Sequence, residues 1–408
     1  MNNVIVTKTN KFKNNAVSVL IPLEVNEKVT DYNLISLIIK RGCNKYKNTR
    51  DVWQRLQDLY GAVFDIVISK KGEKLFLNFY IQCIKNKYAI YGEDILKEAI
   101  ELLNEFVNHP LIIDGQFNPQ YLEQEKENLR ILINSRIDNK DEYAVERATE
   151  ICCEGEPYAI YKYGDLERLK EINNMDLVKL WSEITNNNPF YFLICGDVDE
   201  SETKELIHKV FNKKAVESNK YVNINREFKT KEVIERMKVK QGKLTICFRS
   251  NIDILNGDYF ALAVMNSILG GGTHSKLFNE VREKNSLAYY CYSFVEKFKG
   301  ILVVAAGIDS DNFTKAKEII IKQIDEIKDG NISNKEFESA KSKLISDFKT
   351  IKDSQYSLLD YIGTLRSYGI NYSIEDIINQ VETVSLERIV EAGRTLQLST
   401  IFFIDKEE

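Results

Sequence analysis

The stretch of the chain best suited to chemistry is LGGGTHSKLFNEVREKNSLAY, residues 269–289. Three consecutive glycines precede a predicted helix, and Arg282 near the end of that helix is followed seven residues later by Tyr289. A guanidinium group offers several fixed hydrogen-bond donors to a peptide carbonyl, and a phenol can donate to an oxyanion as its charge develops. Arg282 and Tyr289 are therefore candidate peptide-contacting residues.

Each candidate also has a purely structural explanation. Residues 282–284 could form a solvated charged turn at a helix end. Tyr289 and Tyr290 could be an aromatic pair packed in the core. Because successive side chains of a strand point to opposite faces, only one of the two tyrosines can face a ligand. We predict that Tyr289 is the functional residue and assign Tyr290 to packing.

Metal-binding residue types are scarce. The chain has only three histidines, His109, His208 and His274, and no two of them have the spacing of a zinc pair. We assign His274 no role for this reason. The seven cysteines are scattered without a CxxC spacing, so they are predicted to be reduced and mostly buried.

Length and composition limit the class of protein. A chain of 408 residues with 44% apolar and 29% charged residues suits two globular domains. Its net charge of -5 is spread without a basic block, which argues against nucleic-acid binding. No signal-peptide run or membrane-spanning stretch is evident, so a soluble cytoplasmic protein is the expectation.

The pattern of predicted elements occurs twice. A strand, two helices, a pair of strands, two long helices and a closing buried strand follow one another in the first half, and the second half repeats this order. The order predicts an internal duplication of an α+β unit, each unit a mainly antiparallel sheet with helices packed on one face. We predict domains at residues 1–212 and 237–408, joined by a polar, lysine-rich linker at 213–236.

These residues carry a resemblance that spans almost the whole chain. The chain resembles the pitrilysin/insulinase metallopeptidase family in its small, two-domain bacterial form, whose domains are α/β-rolls of the LuxS/MPP-like metallohydrolase type. The strongest match is LGGGTHSKLFNEVREKNSLAYYCYS, supported by residues 240–244, 196–199 and 59–62. The resemblance implies that Gly270–Gly272 allow a close approach of backbone to backbone. An anion-binding loop is not favoured, because no Walker lysine-serine pair and no GxGxxG pattern is present.

The family's zinc ligands are missing. Its enzymes bind zinc through H-x-x-E-H on the first helix and a glutamate on a later helix. Alignment on Gly42 places Asn33-Leu34-Ile35-Ser36-Leu37 at the first motif, so Asn33, Ser36 and Leu37 are degenerate ligand positions. Ile131 or Leu132 falls at the later position. We therefore expect no cofactor in this chain, and the resemblance is to a non-catalytic member of the family.

In family enzymes the matching arginine and tyrosine reach the substrate backbone near the scissile bond. The resemblance thus implies a non-catalytic, substrate-binding subunit that is inactive alone, with Arg282, Tyr289, Gly271 and Gly272 as substrate-binding residues. Its expected partner is a zinc-bearing H-x-x-E-H homologue, in a heterodimer that cleaves peptides. Two alternatives remain open: a structural or scaffolding protein, and a homodimer that binds extended peptides at a sheet edge without cutting them.

Overall fold

Two five-stranded sheets organise the chain. The computed structural model describes residues 3–213, 223 and 226–407. The strands of the first half of the chain are β1 Val4–Lys8, β2 Asn14–Glu24, β3 Val63–Lys71, β4 Lys74–Ile84, β5 Ile112–Ile113, β6 Gln116–Phe117 and β7 Tyr191–Gly196. Of these, β5 and β6 form a separate short hairpin, and the other five form the first sheet. Those of the second sheet are β8 Lys231–Met237, β9 Gly242–Arg249, β10 Ala288–Glu296, β11 Ile301–Ile308 and β12 Gln397–Lys406.

The helices alternate with these strands along the chain. They are α1 Val29–Ile39, α2 Thr49–Asp58, α3 Ile95–Asn108, α4 Pro119–Asn134, α5 Lys140–Cys152, α6 Leu166–Glu171, α7 Asn174–Asn187, α8 Glu200–Phe211, α9 Tyr259–Gly270, α10 Phe313–Lys328, α11 Asn334–Ile351, α12 Gln355–Ser367, α13 Ile374–Glu382 and α14 Leu386–Arg394. A π-helix spans Phe278–Lys284. No helix of the described residues is both long enough and apolar enough to cross a membrane.

The two sheets have the same topology. Starting from the strand with the parallel neighbour, the orders are β1-β7-β2-β4-β3 and β8-β12-β9-β11-β10. β1 is parallel to β7 and β8 is parallel to β12, whereas the other neighbouring pairs are antiparallel. Each strand therefore has a counterpart in the other sheet. The predicted α+β class with two homologous, mainly antiparallel units is confirmed.

The chain contacts define two compact units that are not continuous in sequence. The first unit holds the described residues of Met1–Asn134, Lys162–Tyr221 and Lys352–Asn371. The second holds those of Ser135–Tyr161, Val222–Ile351 and Tyr372–Glu408. The two units thus exchange a helical segment each: α5 belongs to the second unit and α12 to the first. The predicted division at 212 and 237 did not include this exchange.

The exchanged helices cover a second face of each sheet, which corrects the prediction that helices pack on one face only. In the second unit, Ala144 and Ala148 of α5 pack in one cluster with Phe402, while the ring of the adjacent Phe403 stacks on Phe313 of α10 at 4.6 Å. Adjacent strand residues point to opposite faces. The second sheet is therefore covered by α5 on one face and by α10 on the other.

The first sheet is covered in the same way. In β4, Tyr80 contacts Tyr356 of α12 edge-on at 5.2 Å, while the neighbouring Phe79 contacts Trp181 of α7 at 6.1 Å. Gly363 lets α12 approach closely, because a Cβ at this position would lie only 2.4 Å from the Leu193 side chain. A buried helix of this kind requires a small residue where it crosses the sheet.

The predicted linker 213–236 is described only in part. Residues 214–222 and 224–225 lie outside the described residues. Residues 231–236 form most of β8, which pairs with β12 from Thr400 to Lys406. The end of the predicted linker is therefore a strand of the second sheet. The half-buried positions of this strand include the charged Glu235 beside Val233, so the sequence lacks the apolar alternation that indicates a strand.

Candidate functional site

The degenerate metal positions on α1 have become structural. The amide of Asn33 donates to the backbone oxygens of Val29 and Lys162, each at 2.9 Å. The hydroxyl of Ser36 donates to the backbone oxygen of Asn33 at 2.7 Å. Both side chains are buried, so these hydrogen bonds satisfy polar groups that burial would otherwise penalise. Neither position carries an imidazole or a carboxylate.

The later ligand position on α4 is degenerate as well. Ile131 is 52% exposed, and neither Ile131 nor Leu132 has an atom that binds zinc. The buried carboxylate on this helix is Glu125, which accepts hydrogen bonds from Arg41 and from the Asn128 amide. The pair of Arg41, in the turn after α1, and Glu125 on α4 was not predicted from the sequence.

A mainly apolar cavity adjoins these positions. Its volume is about 410 Å³, and Leu37 of α1, Trp53 of α2, Val63 of β3 and Glu125 of α4 are among its lining residues. The charge of Glu125 is balanced by Arg41. The lining of this cavity therefore offers apolar contacts rather than a set of metal ligands.

The residues that could bind a metal elsewhere are dispersed. Within residues 3–213, 223 and 226–407, no three His, Cys, Asp or Glu side chains form a group that could hold a metal ion. The seven cysteines are buried free thiols. His274 lies beside the glycines of the second unit and contacts the backbone oxygen of Ser267 through Nε2 at 3.1 Å. The donor set of this chain does not fit the zinc site of the family.

We predict that the purified chain binds no stoichiometric zinc, because Asn33, Ser36 and Leu37 supply no ligand that competes with water. Metal analysis by mass spectrometry after gel filtration in zinc-containing buffer should find far less than one zinc per chain. An H-x-x-E-H homologue treated identically is the control, and it should retain about one zinc. About one zinc in both proteins would contradict the prediction.

The glycine segment of the second unit lies at the end of α9. A Cβ on Gly270 would be 2.5 Å from the backbone nitrogen of Ser293 in β10, so this glycine lets the helix end touch the strand. A Cβ on Gly271 would be 2.6 Å from the Cα of Ser267. Gly272 is less crowded, with His274 atoms at 3.4 Å. Close backbone approach thus accounts for Gly270 and Gly271.

Arg282 lies on the π-helix Phe278–Lys284. The sequence pattern predicts an ordinary helix in this segment. Its side chain is 47% exposed, and its guanidinium carbon is 4.9 Å from the ring centroid of Phe278. The backbone turns sharply after the helix, since Ser286 has a φ of 50° and Leu287 donates to the Val281 oxygen at 3.0 Å. Single π-turns are rare and often mark functional positions in helices.

Tyr289 lies at a β-bulge in β10. Ala288 pairs with Ile308 and Tyr290 pairs with Gly307, so Tyr289 is the extra residue of β10. Its side chain is 59% exposed. Along the strand, Tyr289 is exposed and Tyr290 is half-buried, whereas Ala288 and Cys291 are buried. The bulge adds one residue to β10 and re-aims the side chain of Tyr289.

Comparison with known proteins identifies the family. A Bacillus subtilis protein described as "Probable inactive metalloprotease YmfF" is 32% identical to this chain over 410 residues, which cover 99% of this chain and 95% of that protein. A family model described as "Peptidase M16 inactive domain" matches residues 171–344. The chain belongs to the M16 peptidase family.

Solved structures have the same fold as this chain. A conserved protein from Enterococcus faecalis V583 is 29% identical and superposes with a TM-score of 0.90, covering 99% of this chain and 96% of that one. A structure of a peptidase M16 inactive domain from Pseudomonas fluorescens has a TM-score of 0.81 at 17% identity, with the same coverage, and shares the fold. This chain is an inactive M16 homologue in which the fold is retained and the zinc ligands are not.

Proposed function

We propose that this M16 chain is the non-catalytic, substrate-binding subunit of a heterodimeric zinc-dependent peptidase. It pairs with a zinc-bearing H-x-x-E-H homologue, closes the peptide chamber and supplies Arg282 and Tyr289. Gly271 and Gly272 border the same substrate surface. In this arrangement, zinc and the catalytic base would belong to the partner subunit, where the metal would supply Lewis-acid chemistry for water activation.

The observation that carries this proposal is the presentation of Arg282 and Tyr289 within one short segment. Both side chains are about half exposed, so the guanidinium and the phenol are accessible to a ligand. The π-helix and the bulge are two irregular features that place them there. Irregular backbone of this kind persists where its function offsets the lost regular hydrogen bonds.

Loss of the metal positions supports the same division of labour. Asn33 and Ser36 now hold backbone groups of the first unit, so reacquiring a metal there would require more than ligand substitution. A subunit that has lost catalysis but keeps its substrate contacts depends on a partner that performs the chemistry. Under the scaffolding alternative, Arg282 and Tyr289 would be relics without a function.

The test is reconstitution with an H-x-x-E-H homologue from the same genome. The two chains are purified separately, mixed and examined by light scattering and by cleavage of a quenched-fluorescent peptide library. We expect a 1:1 complex whose turnover exceeds that of either chain alone by at least about 100-fold, the scale of oxyanion-type contacts. A pair built with the partner's motif glutamate changed to glutamine is the inactive control.

Two results would support other functions. If the partner cleaves peptides equally well without this chain, the subunit role is wrong. If this chain instead forms a homodimer that binds the same peptides without cleavage, the alternative of a peptide-binding homodimer holds. That alternative draws on the position of β3 and β10 at the ends of their sheet orders, where an extended peptide could add a strand.

A further inference from the structure

Tyr290, the residue after the bulge, is held on three sides within the second unit. Its hydroxyl donates to Oδ1 of Asp141 at the start of α5. Its ring lies against Gly307 of β11, where an added Cβ would be 2.5 Å from Cε1 of the tyrosine. The Lys243 ammonium of β9 is 5.4 Å from the centre of the ring. Three different elements therefore contact one side chain.

The charges of this cluster match its hydrogen bonds. Burial by itself raises the pKa of Asp141, but the hydrogen bonds from Lys243 and Tyr290 outweigh burial and hold this pKa below its usual value. Burial, together with the hydrogen bond to Asp141, raises the pKa of Tyr290. The tyrosine thus remains a neutral donor and the aspartate a charged acceptor, and Lys243 at 2.7 Å balances the carboxylate. Hydrogen bonds to a charged acceptor are stronger than neutral ones.

The position of this cluster matters because of the bulge beside it. In β10 the pairing jumps from Ala288 opposite Ile308 to Tyr290 opposite Gly307. A strand can shift its register by one residue unless side chains specify it, and such a shift moves every side chain to the other face. Fixing Tyr290 opposite Gly307 determines which residue is looped out, and that residue is Tyr289.

The rest of the strand continues the same arrangement. The rings of Tyr290 and Tyr292 are 5.9 Å apart, and those of Tyr292 and Phe294 are 6.5 Å apart. Phe294 packs against the core cluster of α5 and the second sheet. The residues from Tyr290 onward are therefore anchored at several points, whereas Tyr289 is free to project from the strand.

We propose that Asp141, Lys243 and Gly307 seat Tyr290, and that the seated Tyr290 is a positioning residue that holds the bulge presenting Tyr289. The substrate contact made by Tyr289 rests on the function proposed above, but the anchoring of the bulge does not depend on it. Tyr290 acts through its neighbour and does not itself contact the substrate. The exchanged helix α5 thereby takes part in shaping the substrate surface, since Asp141 lies at its first turn.

The first measurement uses the isolated chain. In Tyr290→Phe the ring stays on Gly307 but the hydroxyl that reaches Asp141 is lost, and Asp141→Asn removes the charged acceptor. We expect backbone amide exchange across residues 286–293 to speed up about 10-fold in both variants, because one charge-assisted hydrogen bond holds the bulge. Tyr292→Phe is the matched control, since it removes a hydroxyl from the next tyrosine of the strand, and it should leave exchange unchanged.

The second measurement uses the assembled pair. Tyr290→Phe should lower kcat about 10-fold with little change in KM, because a displaced Tyr289 fails in the transition state rather than in substrate binding. In a Tyr289→Phe background the same change should have no further effect on kcat, as expected for two residues that act through one group. A merely structural role of Tyr290 would give equal losses in both backgrounds.

The two measurements separate the two proposals. Unchanged amide exchange in both Tyr290→Phe and Asp141→Asn would overturn the anchoring, whatever the activity of the pair. Suppose instead that amide exchange is faster but Tyr289→Phe leaves the turnover of the pair unchanged. This outcome would support the anchoring and would contradict the substrate role of Tyr289. Equal effects of Tyr292→Phe and Tyr290→Phe on exchange would also overturn the inference.

Discussion

Replacing Glu156 by glutamine is expected to lower the free energy of unfolding of the second unit by about 3–5 kcal/mol, the usual cost of breaking a buried ion pair. The side chains of Glu156 and Lys299 are both 0% exposed, and their charged atoms are 2.8 Å apart. The Arg249 guanidinium contacts the two carboxylate oxygens at 2.8 and 2.9 Å. A glutamine would remove the buried negative charge that contacts both cations.

The neighbouring surface residue provides the control. Glu154 is exposed and pairs with Lys231, so Glu154→Gln should leave stability unchanged. Trp53 and Trp181 both lie in the first unit, so tryptophan fluorescence reports on that unit, and amide exchange in β9 and β11 should be used for the second. Equal stability of Glu156→Gln and Glu154→Gln would show that the buried network contributes nothing.

In the assembled pair, Arg282→Ala is expected to lower kcat/KM by about 100-fold, and Tyr289→Phe to lower kcat by a similar factor. Arginine supplies several donors to the substrate backbone, whereas the phenol contributes one donor to a developing oxyanion. Both side chains are exposed in this chain, so neither change should alter its folding. Steady-state kinetics with a quenched-fluorescent peptide separates the two effects.

The matched control is Lys284→Ala, which removes a cation two residues from Arg282 on the same π-helix. Lys284 is exposed and pairs with Glu280 at 2.5 Å, so its loss should change turnover less than about 2-fold, as for an exposed pair outside the site. Light scattering should be used to check that each variant still assembles with the partner. Unchanged turnover in both Arg282→Ala and Tyr289→Phe, in an intact complex, would contradict the proposed function.

The order of the elements could be predicted because their apolar periodicity is strong. The predicted strand at residues 16–21 lies within β2, and the predicted helix at 335–352 corresponds to α11, Asn334–Ile351. Loss of the metal site could also be predicted, since zinc needs particular ligand types and the motif positions lack them. Both conclusions depend on residue types or on local spacing, which the sequence displays directly.

Two features could not be predicted, because they depend on long-range packing. Ala144 and Ala148 mark a face of α5 suited to close contact, but a small-residue face does not specify which of two similar sheets it covers. The bulge at Tyr289 adds one residue to β10 without any compositional signal, so its position could not be read from the sequence. The contact between Asp141 and Tyr290 spans 149 residues of sequence and follows from both features.

The exchange of α5 and α12 has a consequence during protein synthesis. The first unit lacks α12 until residue 367 of the 408 has been synthesised and has left the ribosome. Until then, the face of β2, β4 and β7 that α12 covers stays exposed, while most of the second unit is being made. α5, in turn, is made long before β9 and β12, the strands it covers. Neither unit can complete its core as an independent N-terminal or C-terminal fragment. A gene split at the junction between the two repeats should therefore yield halves that fold only when both are present.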